Sequence, residues 1–380
     1  MHKLFFEKSG RRSRIRRQTR DRSRSTGAIL FALLVGVAAG ALLFAPANEP
    51  PPAQAKAPRL SQIENEPVLP SEAMLKEIAS APASSPSSAI VELPSPLITV
   101  SIGGESKTME LEEYVKGVVA GEMPVSADPA ALEAQAVAAR TFAALHMAGR
   151  AKCRSGCTVC DDPGCCQAYL DAEALKKAWG SAYEENLNKI AQAVNSTEGL
   201  VAVYDGELIN AVYHASSGPA TESSEEVFAC ALPYLVSVDS LEGESEMITR
   251  QEFTAREVVE KLNSVYPEAN MSLPLSPFDF DVWGRTPSGR VQLIRIGETV
   301  IPGSALRMAL GLKSTAFEVK KEGSTITFTC LGYGHGVGMS QIGAIEMAKH
   351  GASFGEILAH FYTGTGLARL TYPGQPEIHG

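Results

Sequence analysis

Five of the seven cysteines lie within fourteen residues, in the stretch CRSGCTVCDDPGCC that begins at Cys153. Cysteine thiolates can bind zinc, form disulfides or take part in redox exchange. A C-x-x-C pair and an adjacent pair are poorly suited to bridging within each pair, but they resemble the short loops that wrap a tetrahedral zinc ion. The spacing therefore predicts a structural zinc site, with disulfides and free thiols as alternatives. The candidate ligands are Cys153, Cys157, Cys160, Cys165 and Cys166.

A single carboxyl group is the second candidate for chemistry. Glu122 lies in the segment YVKGVVAGEMP, where Val118, Val119 and Met123 offer apolar surroundings. Such surroundings raise the pKa of a carboxyl group and keep it protonated, as a general acid requires. The alternative is a glutamate at a helix end in water. Weaker candidates for the same role are Glu133, Glu222, Glu225 and Glu226.

Two polar loops are candidates for substrate contacts. In YHASSGPATESSEEVF, hydroxyl groups and a histidine follow a strand-like segment, and a backbone amide there could stabilise a departing oxygen. A Ser-His hydrolase is a competing interpretation, but HASSG lacks the glycine spacing of a nucleophile elbow. An ordinary loop rich in serine and threonine is the other alternative. The candidates in this loop are His214, Ser216, Ser217, Gly218 and Thr221.

The second loop, GHGVGMSQIGA, has a glycine spacing that fits neither nucleotide-binding fingerprint. Glycines let the backbone approach a ligand closely, so the loop predicts one wall of a ligand cleft. A buried, hydrogen-bonded structural histidine is the alternative for its histidine. The candidates are His335, Gly336, Ser340 and Gln341.

Arg140 interrupts an alanine-rich helical face, where a solvated charge would waste packing surface. A guanidinium group there could hold a carboxylate of a substrate. A structural ion pair inside the helix layer is the alternative.

The elements that must position these residues include several helices. LEEYVKGVVAGEMP places apolar residues at helical spacing until Pro124 interrupts it. SADPAALEAQAVAARTFAALHMAG begins with Asp128 as N-cap and Pro129 at the first helical position, and it ends near Gly149. DAEALKKAWGSAYEENLNKIAQAVNSTEG is helical with a break near Gly180. Short helices are predicted for GSALRMALGL and SQIGAIEMAKHG.

Strands and hairpins alternate with those helices. LITVSI is a predicted strand, and LVAVYDGELINAVYHASSG is a predicted hairpin that turns at Asp205 and Gly206. Two further hairpins are predicted in PSGRVQLIRIGETVIPG and FEVKKEGSTITFTCLGYG. Helices and antiparallel hairpins in this order predict an α+β domain with two lobes around a cleft, and not a doubly wound parallel sheet.

The N-terminal part of the chain predicts a membrane location. Residues 1–26 form a basic cytoplasmic tail, and residues 27–45 form an uncharged apolar stretch long enough to span a bilayer as one helix. A cleavable signal peptide is the alternative. Residues 46–96, with roughly half of the 23 prolines, predict an extracytoplasmic linker. Residues 97–380 form the outer domain, and the net charge of -9 makes nucleic acid an unfavourable partner.

Four stretches occur in one order and resemble the stage II sporulation protein D family. They are YVKGVVAGEMP with LEAQAVAARTFA, CDDPGCCQAY, YHASSGPATESSEEVF and GYGHGVGMSQIGA. Members of this family are membrane-anchored lytic transglycosylases of spore-forming bacteria that cut peptidoglycan glycan strands during engulfment. The resemblance covers roughly residues 100–370. The related amidase-enhancer proteins share several of these stretches, so a non-catalytic peptidoglycan-binding enhancer of a wall amidase is the alternative function.

The resemblance implies a role for particular residues. The family's catalytic acid falls on Glu122, which would protonate the glycosidic oxygen and then deprotonate the sugar's C6 hydroxyl, giving 1,6-anhydro-muramyl products. In that setting Arg140 would hold lactyl or carboxyl groups of the substrate. Family members can bind zinc with mixed cysteine and histidine ligands. Cys160 and Cys166 fall on cysteine positions and Cys165 replaces a histidine, while Cys153 or Cys157, or more remotely His146, would complete the site.

The resemblance also implies the substrate and the partners. The substrate would be glycan strands stripped of their stem peptides. The partners would be a cell-wall amidase/endopeptidase and a membrane scaffold protein of the engulfment machinery.

Overall fold

The computed structural model describes residues 90–228, 230–243, 247–276 and 278–373. Helices and several small sheets alternate along this part of the chain, so the predicted mixed α+β class is confirmed. The predicted cytoplasmic tail, the membrane anchor and nearly all of the linker lie outside the described residues. Within the described ranges, no helix is both long enough and apolar enough to cross a membrane.

The helices that the sequence predicts begin and end close to the predicted positions, and the structure adds three that were not predicted, Ser224–Phe228, Ala255–Val265 and Phe354–Phe361. In chain order they are α1 (Leu111–Glu122), α2 (Pro129–Met147), α3 (Ala172–Trp179), α4 (Tyr183–Ser196), α5 (Ser224–Phe228), α6 (Ala255–Val265), α7 (Gly303–Leu310), α8 (Gln341–Lys349) and α9 (Phe354–Phe361). Asp128 caps α2 through a bond from the Ala130 amide (3.3 Å), and a short 3-10 turn, Gly180–Ala182, separates α3 from α4. The predicted cap and the predicted break are therefore confirmed.

The strands are short, and most of them pair in antiparallel fashion. They are β1 (Ile90–Glu92), β2 (Leu97–Ile102), β3 (Glu105–Glu110), β4 (Val159–Cys160), β5 (Leu200–Tyr204), β6 (Glu207–Leu208), β7 (Tyr213–His214), β8 (Ile248–Thr254), β9 (Asp281–Arg285), β10 (Val291–Ile296), β11 (Thr299–Pro302), β12 (Phe317–Glu322), β13 (Thr325–Leu331), β14 (Met339–Ser340) and β15 (Gly366–Thr371). The three predicted hairpins are confirmed as β5–β6, β10–β11 and β12–β13. The first turns at Asp205 and Gly206, which both have positive φ.

Three parallel pairs join strands that are far apart in the sequence. They are β1 with β15, β2 with β4, and β7 with β14. The pair β2–β4 places Cys160 beside Ser101, and the pair β7–β14 places His214 beside Ser340. These non-local pairs bring the candidate residues together.

Two hydrophobic cores are built around these elements. In the larger core the alanine-rich helix α2 packs against α1, α4, α8, α9 and β5, as its small side chains on every face predict. In the smaller core, α6 and α7 pack against strands β8 to β13 around Leu262, Leu306 and Phe328.

Candidate active site

Glu122 is the last residue of α1. Met123 is extended (φ -120°, ψ 144°) because it precedes Pro124, and this stops the helix directly after the carboxyl-bearing residue. The Glu122 side chain is partly exposed, and both of its oxygens accept hydrogen bonds. Oε1 accepts from the Ala168 amide at 2.7 Å, and Oε2 accepts from Gln341 Nε2 at 3.2 Å.

Two glycines let the segment that carries Ala168 run close to α1. A Cβ atom on Gly117 would lie 2.3 Å from the Tyr169 ring, and one on Gly121 would lie 3.3 Å from the Ala168 main chain. The Leu170 amide also donates to the Gly117 carbonyl at 3.2 Å. Because these two glycines have no side chains, the segment packs closely on α1, and the Ala168 amide reaches Glu122.

Burial raises the pKa of Glu122, and this effect opposes the bonds from the Ala168 amide, Gln341 and Tyr213, which favour the carboxylate. Burial also raises the pKa of Tyr213, with a further contribution from the nearby Glu122. The Tyr213 hydroxyl donates to Gln167 Oε1 at 2.8 Å, and Gln167 Nε2 donates to the Tyr114 hydroxyl at 3.1 Å. A connected set of neutral polar groups therefore surrounds one carboxyl group of raised pKa.

The other glutamates that the sequence suggested have other surroundings. Glu133 accepts from the Ser196 hydroxyl at 2.7 Å, and Glu226 accepts from Gln292 at 2.8 Å. Glu222 is 1% exposed and accepts from the hydroxyls of Thr286 and Ser288, both at 2.6 Å. Glu225 is exposed on α5.

The loop after β7 forms a buried polar cluster. His214 Nε2 contacts the Ser217 hydroxyl, while Nδ1 lies 3.1 Å from the Val337 carbonyl, so Ser217 donates to a neutral histidine. The two side chains therefore have the contact of a Ser-His pair. They are only 4% and 1% exposed, however, which leaves a nucleophile no room to meet a substrate. This burial argues against the hydrolase interpretation.

Glu242 holds the same loop together. Its carboxylate accepts from the Ser216 hydroxyl (2.5 Å), the Ser217 amide (2.5 Å) and the Gly218 amide (3.3 Å). It also accepts from the Ser340 hydroxyl (2.7 Å), and Ser340 caps α8 directly before Gln341. Glu242 therefore positions the start of the helix that carries the Gln341 side chain. Thr221, fully buried, pairs with Val238 in the same cluster.

His335 is the loop residue that faces an open space. Its Nδ1 accepts from the Val337 amide at 3.1 Å, and its ring lies 5.5 Å from that of His214. Burial, with a contribution from Arg307, lowers the pKa of His335 to about 4, so the ring is neutral near pH 7. Gly336 has a φ of +84° and lies against the Arg290 guanidinium, where a Cβ atom would be 2.5 Å away.

Arg140 lies inside the helix layer and is 0% exposed. It forms a bidentate ion pair with Glu112 (2.8 and 2.7 Å) and donates to the carbonyls of Leu200 (3.1 Å) and Val194 (3.2 Å). These contacts match the structural alternative and leave the guanidinium no face for a substrate.

We expect the Arg140→Ala variant to lose about 3 kcal/mol of unfolding free energy, because Glu112 and two carbonyls lose their partner. The matched control is Arg150→Ala, whose exposed ion pair with Glu207 is worth about 0–1 kcal/mol. Denaturant unfolding measures both. If Arg140→Ala unfolds at the wild-type denaturant midpoint but loses turnover, then Arg140 contacts the substrate.

Four of the five clustered cysteines converge. The sulfurs of Cys153, Cys160, Cys165 and Cys166 all lie within 4.8 Å of one another, whereas Cys157 stays outside the group. The separations Cys153–Cys165 and Cys165–Cys166 are both 3.9 Å. A disulfide needs about 2.05 Å, while a tetrahedral zinc with bonds of about 2.3 Å places its sulfurs roughly 3.8 Å apart. The four thiols therefore fit a metal ion better than disulfides.

The surroundings of Cys165 favour a thiolate. The Arg154 amide lies 3.5 Å from the Cys165 sulfur, and the amide and guanidinium of Arg154 lower the pKa of Cys165 to about 7. The Arg154 side chain also donates to the Gly164 carbonyl at 2.8 Å and closes the loop. The cysteine cluster is only two residues from Ala168, which donates to Glu122. One short segment of chain thus carries the end of the cluster and the amide that contacts Glu122.

Several residues of the site were not predicted. Gln135 interrupts the alanine-rich face of α2 as Arg140 does, so its polar side chain was a signal in the sequence. Tyr213, Gln167 and Glu242 stand in stretches where nothing in their spacing distinguishes them. The Ala168 contribution comes from the backbone and leaves no trace in the residue type.

The fold and the site define a mixed α+β protein in which a partly exposed carboxyl group of raised pKa contacts the segment that follows a four-cysteine cluster. Comparison with known proteins identifies the family within this class. The family model described as "Stage II sporulation protein" matches residues 104–204. The chain therefore belongs to the stage II sporulation protein D family, because it also covers most of two members at about 40% identity.

Those members are the stage II sporulation proteins D of two Bacillus species. The chain is 39% identical over 266 residues to that of Bacillus amyloliquefaciens, which covers 69% of this chain and 75% of the relative. It is 40% identical over 263 residues to that of Bacillus subtilis (strain 168), which covers 68% and 74%. It is also 30% identical over 302 residues to the amidase enhancer of Bacillus subtilis (strain 168), which covers 67% of this chain and 40% of the relative.

Proposed function

We propose that this protein is a lytic transglycosylase that cuts the glycan strands of peptidoglycan during sporulation, with Glu122 as its acid and base. The observation that carries the proposal is the state of Glu122, a partly exposed carboxyl group whose pKa is raised by burial. Family membership and the amidase-enhancer relative support a role at the cell wall. By family resemblance, the substrate is strands stripped of stem peptides.

The chemistry needs one carboxyl group in two successive roles. Neutral Glu122 donates its proton to the glycosidic oxygen as the C1–O bond breaks, and positive charge develops on the muramyl ring. The resulting carboxylate then takes the proton of the C6 hydroxyl, whose oxygen bonds to C1 and closes the 1,6-anhydro ring. No water is consumed, so a second carboxylate that activates water is not required.

Gln341 can serve both protonation states of Glu122. Its Nε2 donates to the Glu122 carboxylate and to Gln135 Oε1, the latter at 3.2 Å. The buried Nε2 of Gln135 has no hydrogen-bond partner among the described residues. If both amides turn over, Gln135 donates to the Gln341 oxygen, which can then accept the proton of the neutral acid.

The remaining parts of the proposal concern the metal and the location. A structural zinc ion would be held by Cys153, Cys160, Cys165 and Cys166. It would fix the loop before Ala168 and take no part in bond breaking.

Residues 27–45 would anchor the protein in the membrane, with residues 1–26 in the cytoplasm and the domain outside. Protease added to intact cells should remove the domain. An amidase/endopeptidase and a membrane scaffold protein are the partners that the family resemblance proposes.

The decisive experiment is a product assay. Purified full-length protein is incubated with glycan strands that have been stripped of peptides, and the products are analysed by mass spectrometry. New anhydro-muramyl ends are the expected result. The absence of such ends with binding retained would support the second candidate, a non-catalytic enhancer, which the relationship to the amidase enhancer favours.

The pH dependence of turnover should report the raised pKa of Glu122. A general acid must be protonated, so kcat falls as the pH rises through its pKa. Because burial raises this pKa above the ordinary value of 4.5, we expect full activity to persist above that pH. Steady-state rates across a buffered pH series test this. A fall in kcat centred on the ordinary glutamate value would contradict the assignment.

A further inference from the structure

Glu242 is a buried carboxyl group that takes no part in the proposed chemistry. It is 2% exposed, and among the described residues it forms no ion pair. Burial raises the pKa of Glu242, whereas four donated hydrogen bonds favour its carboxylate form. A charge in the protein interior is costly unless such bonds compensate for it. The donors of these four bonds therefore show which parts of the chain Glu242 holds together.

The four donors belong to two separate parts of the chain. The Ser216 hydroxyl and the amides of Ser217 and Gly218 lie in the loop after β7. The Ser340 hydroxyl lies directly before α8, at 2.7 Å from the Glu242 carboxylate. Backbone amides can only donate, so the buried loop needs an acceptor at this place. Glu242 therefore fastens the loop to the start of α8.

Each of these two parts leads to a side chain that contacts Glu122. Tyr213 lies on β7, before the loop, and its side chain hydrogen-bonds to Glu122. Gln341 is the first residue of α8 and donates to Glu122 Oε2 at 3.2 Å. Strand β7 pairs in parallel with β14, which ends at Ser340. The loop and α8 therefore leave this short sheet side by side, and Glu242 joins them there.

The route through Ser340 is the more direct one. Ser340 is 0% exposed, and its hydroxyl donates to Glu242 and accepts from the Gly343 amide at 3.1 Å, which caps α8. Gln341 is the next residue in the chain, so a shift of the cap moves the base of its side chain. Burial also keeps Ser340 from contact with a glycan strand, although the sequence made it a candidate for such a contact.

We propose that Glu242 is a positioning residue for the general acid and acts through Ser340, which fixes Gln341 at the start of α8. The inference rests on the proposed function, since a general acid is what Gln341 would be positioned against. The bond from Gln341 favours the carboxylate form of Glu122 and lowers its pKa against the effect of burial. A misplaced Gln341 would therefore leave Glu122 with a higher pKa and less firmly held.

The neighbouring titratable groups keep their charge near neutral pH. Burial lowers the pKa of His214 well below its ordinary value and that of His335 to about 4, so both rings are neutral. Arg290 lies near enough for Glu242 to raise its pKa against the effect of burial, and its guanidinium stays charged. Glu122 and Glu242 remain as the groups of raised pKa, and the Glu242→Ala variant leaves Glu122 alone.

Two variants of the full-length protein break the connection at different points. Glu242→Ala removes all four bonds, and Ser340→Ala removes only the one that reaches α8. We expect each to lower kcat about 10- to 100-fold with a smaller change in KM, because a misplacement of about 1 Å near a catalytic group costs up to about 10²-fold. The fall of kcat toward alkaline pH should move to higher pH in both, since the acid keeps its proton longer. If Glu242→Ala does not fold, Ser340→Ala alone decides the test.

Ser353→Ala is the matched control. Ser353 caps α9 as Ser340 caps α8, and each hydroxyl accepts from the amide three residues further on, at 3.4 and 3.1 Å. Both alanine variants should therefore lose a similar amount of thermal stability. Only Ser340→Ala should change kcat and its pH dependence. A wild-type pH dependence in Ser340→Ala would overturn the proposal, since its effect would then be that of a lost cap alone.

A double variant tests the route through Gln341. Gln341→Leu removes the amide and should also move the fall of kcat to higher pH. The addition of Ser340→Ala should move the fall no further, because both substitutions act on one contact. Additive shifts would overturn the proposal, as they would show that Ser340 affects Glu122 in another way.

A titration without substrate distinguishes this proposal from the proposed function. Infrared difference spectra of the carboxyl band across a pH series follow Glu122 directly, and Glu122→Gln identifies its signal. If the wild type forms no anhydro ends but the pKa of Glu122 is higher in Ser340→Ala than in Ser353→Ala, the catalytic function fails and the positioning by Glu242 stands. If the pKa of Glu122 is the same in both variants and in the wild type, the positioning fails whatever the products are.

Discussion

The Glu122→Gln variant is expected to form anhydro-muramyl ends about 10²- to 10⁴-fold more slowly than the wild type and to keep its fold. Glutamine has the shape of glutamate but can neither donate the proton in the first step nor accept one in the second. Its amide oxygen still accepts from the Ala168 amide, and its NH2 group can donate to Gln341 once that amide is turned. The loss is measured by product counts over time.

The same variant should be at least as stable as the wild type at neutral pH. Burial raises the pKa of Glu122, so between 4.5 and the raised value the folded state holds a proton that the unfolded state has released. The stability of the wild type therefore falls as the pH rises through this window, whereas the variant has no such dependence. The Tm difference should therefore grow in favour of the variant as the pH rises above the ordinary glutamate value of 4.5.

The matched control is Glu113→Gln, on the same helix. The Glu113 side chain is 62% exposed and pairs with Lys116 on the surface. The Glu113→Gln substitution should change neither product formation nor the pH dependence of the Tm. If the Glu122→Gln variant forms product at the wild-type rate, and the control variant does so too, then the general acid is a residue other than Glu122.

Removal of a cysteine from the four-sulfur cluster has the second largest expected effect. Cys166→Ser should lose bound zinc, lower the Tm and reduce turnover about 10²-fold, because a misplacement of about 1 Å at a catalytic group costs that much. The physical reason is proximity, since the Ala168 amide that holds Glu122 lies two residues further along the chain. Metal analysis by mass spectrometry, with Tm and turnover on the same sample, makes the comparison.

Cys157→Ser is the control that the cluster itself offers. Cys157 belongs to the same loop but lies outside the four-sulfur group, so its replacement should leave one equivalent of zinc and normal turnover. A wild type that carries no zinc when purified, with its thiols oxidised, would contradict the metal proposal. Zinc loss with unchanged turnover would instead show that the loop keeps its position without the ion.

Local features of the fold could be predicted, because each depends on a few adjacent residues. Asp128 and Pro129 start a helix, Asp205 and Gly206 form a hairpin turn, and Pro124 ends the helix at Glu122. The parallel pairs were not predicted, since β7 and β14 lie more than a hundred residues apart and two-residue strands carry no periodic signal. Their pairing is set by the whole core and not by local propensity.

For the candidate site, too, the local motifs could be predicted but the contacts between distant parts of the chain could not. The motifs predict Glu122 as the candidate acid and five clustered cysteines as candidate ligands, but they do not show which four of the five sulfurs converge. For Arg140 the sequence could not choose between a substrate contact and a buried ion pair, because both need the same guanidinium in the same helix. The choice depends on Glu112, 28 residues earlier, and on carbonyls of α4 and β5 that only the folded chain brings near.

The hydrogen bond from Ala168 to Glu122 has a consequence for mutational surveys of this protein. A backbone amide survives every side-chain replacement except proline, so a scan through small residues would score position 168 as tolerant. The sensitivity would be recorded elsewhere, at Gly117 and Gly121, where any side chain pushes the segment away from α1. Such a map would show two intolerant helix glycines with no evident chemistry, and Ala168→Pro would be the substitution that reveals what they protect.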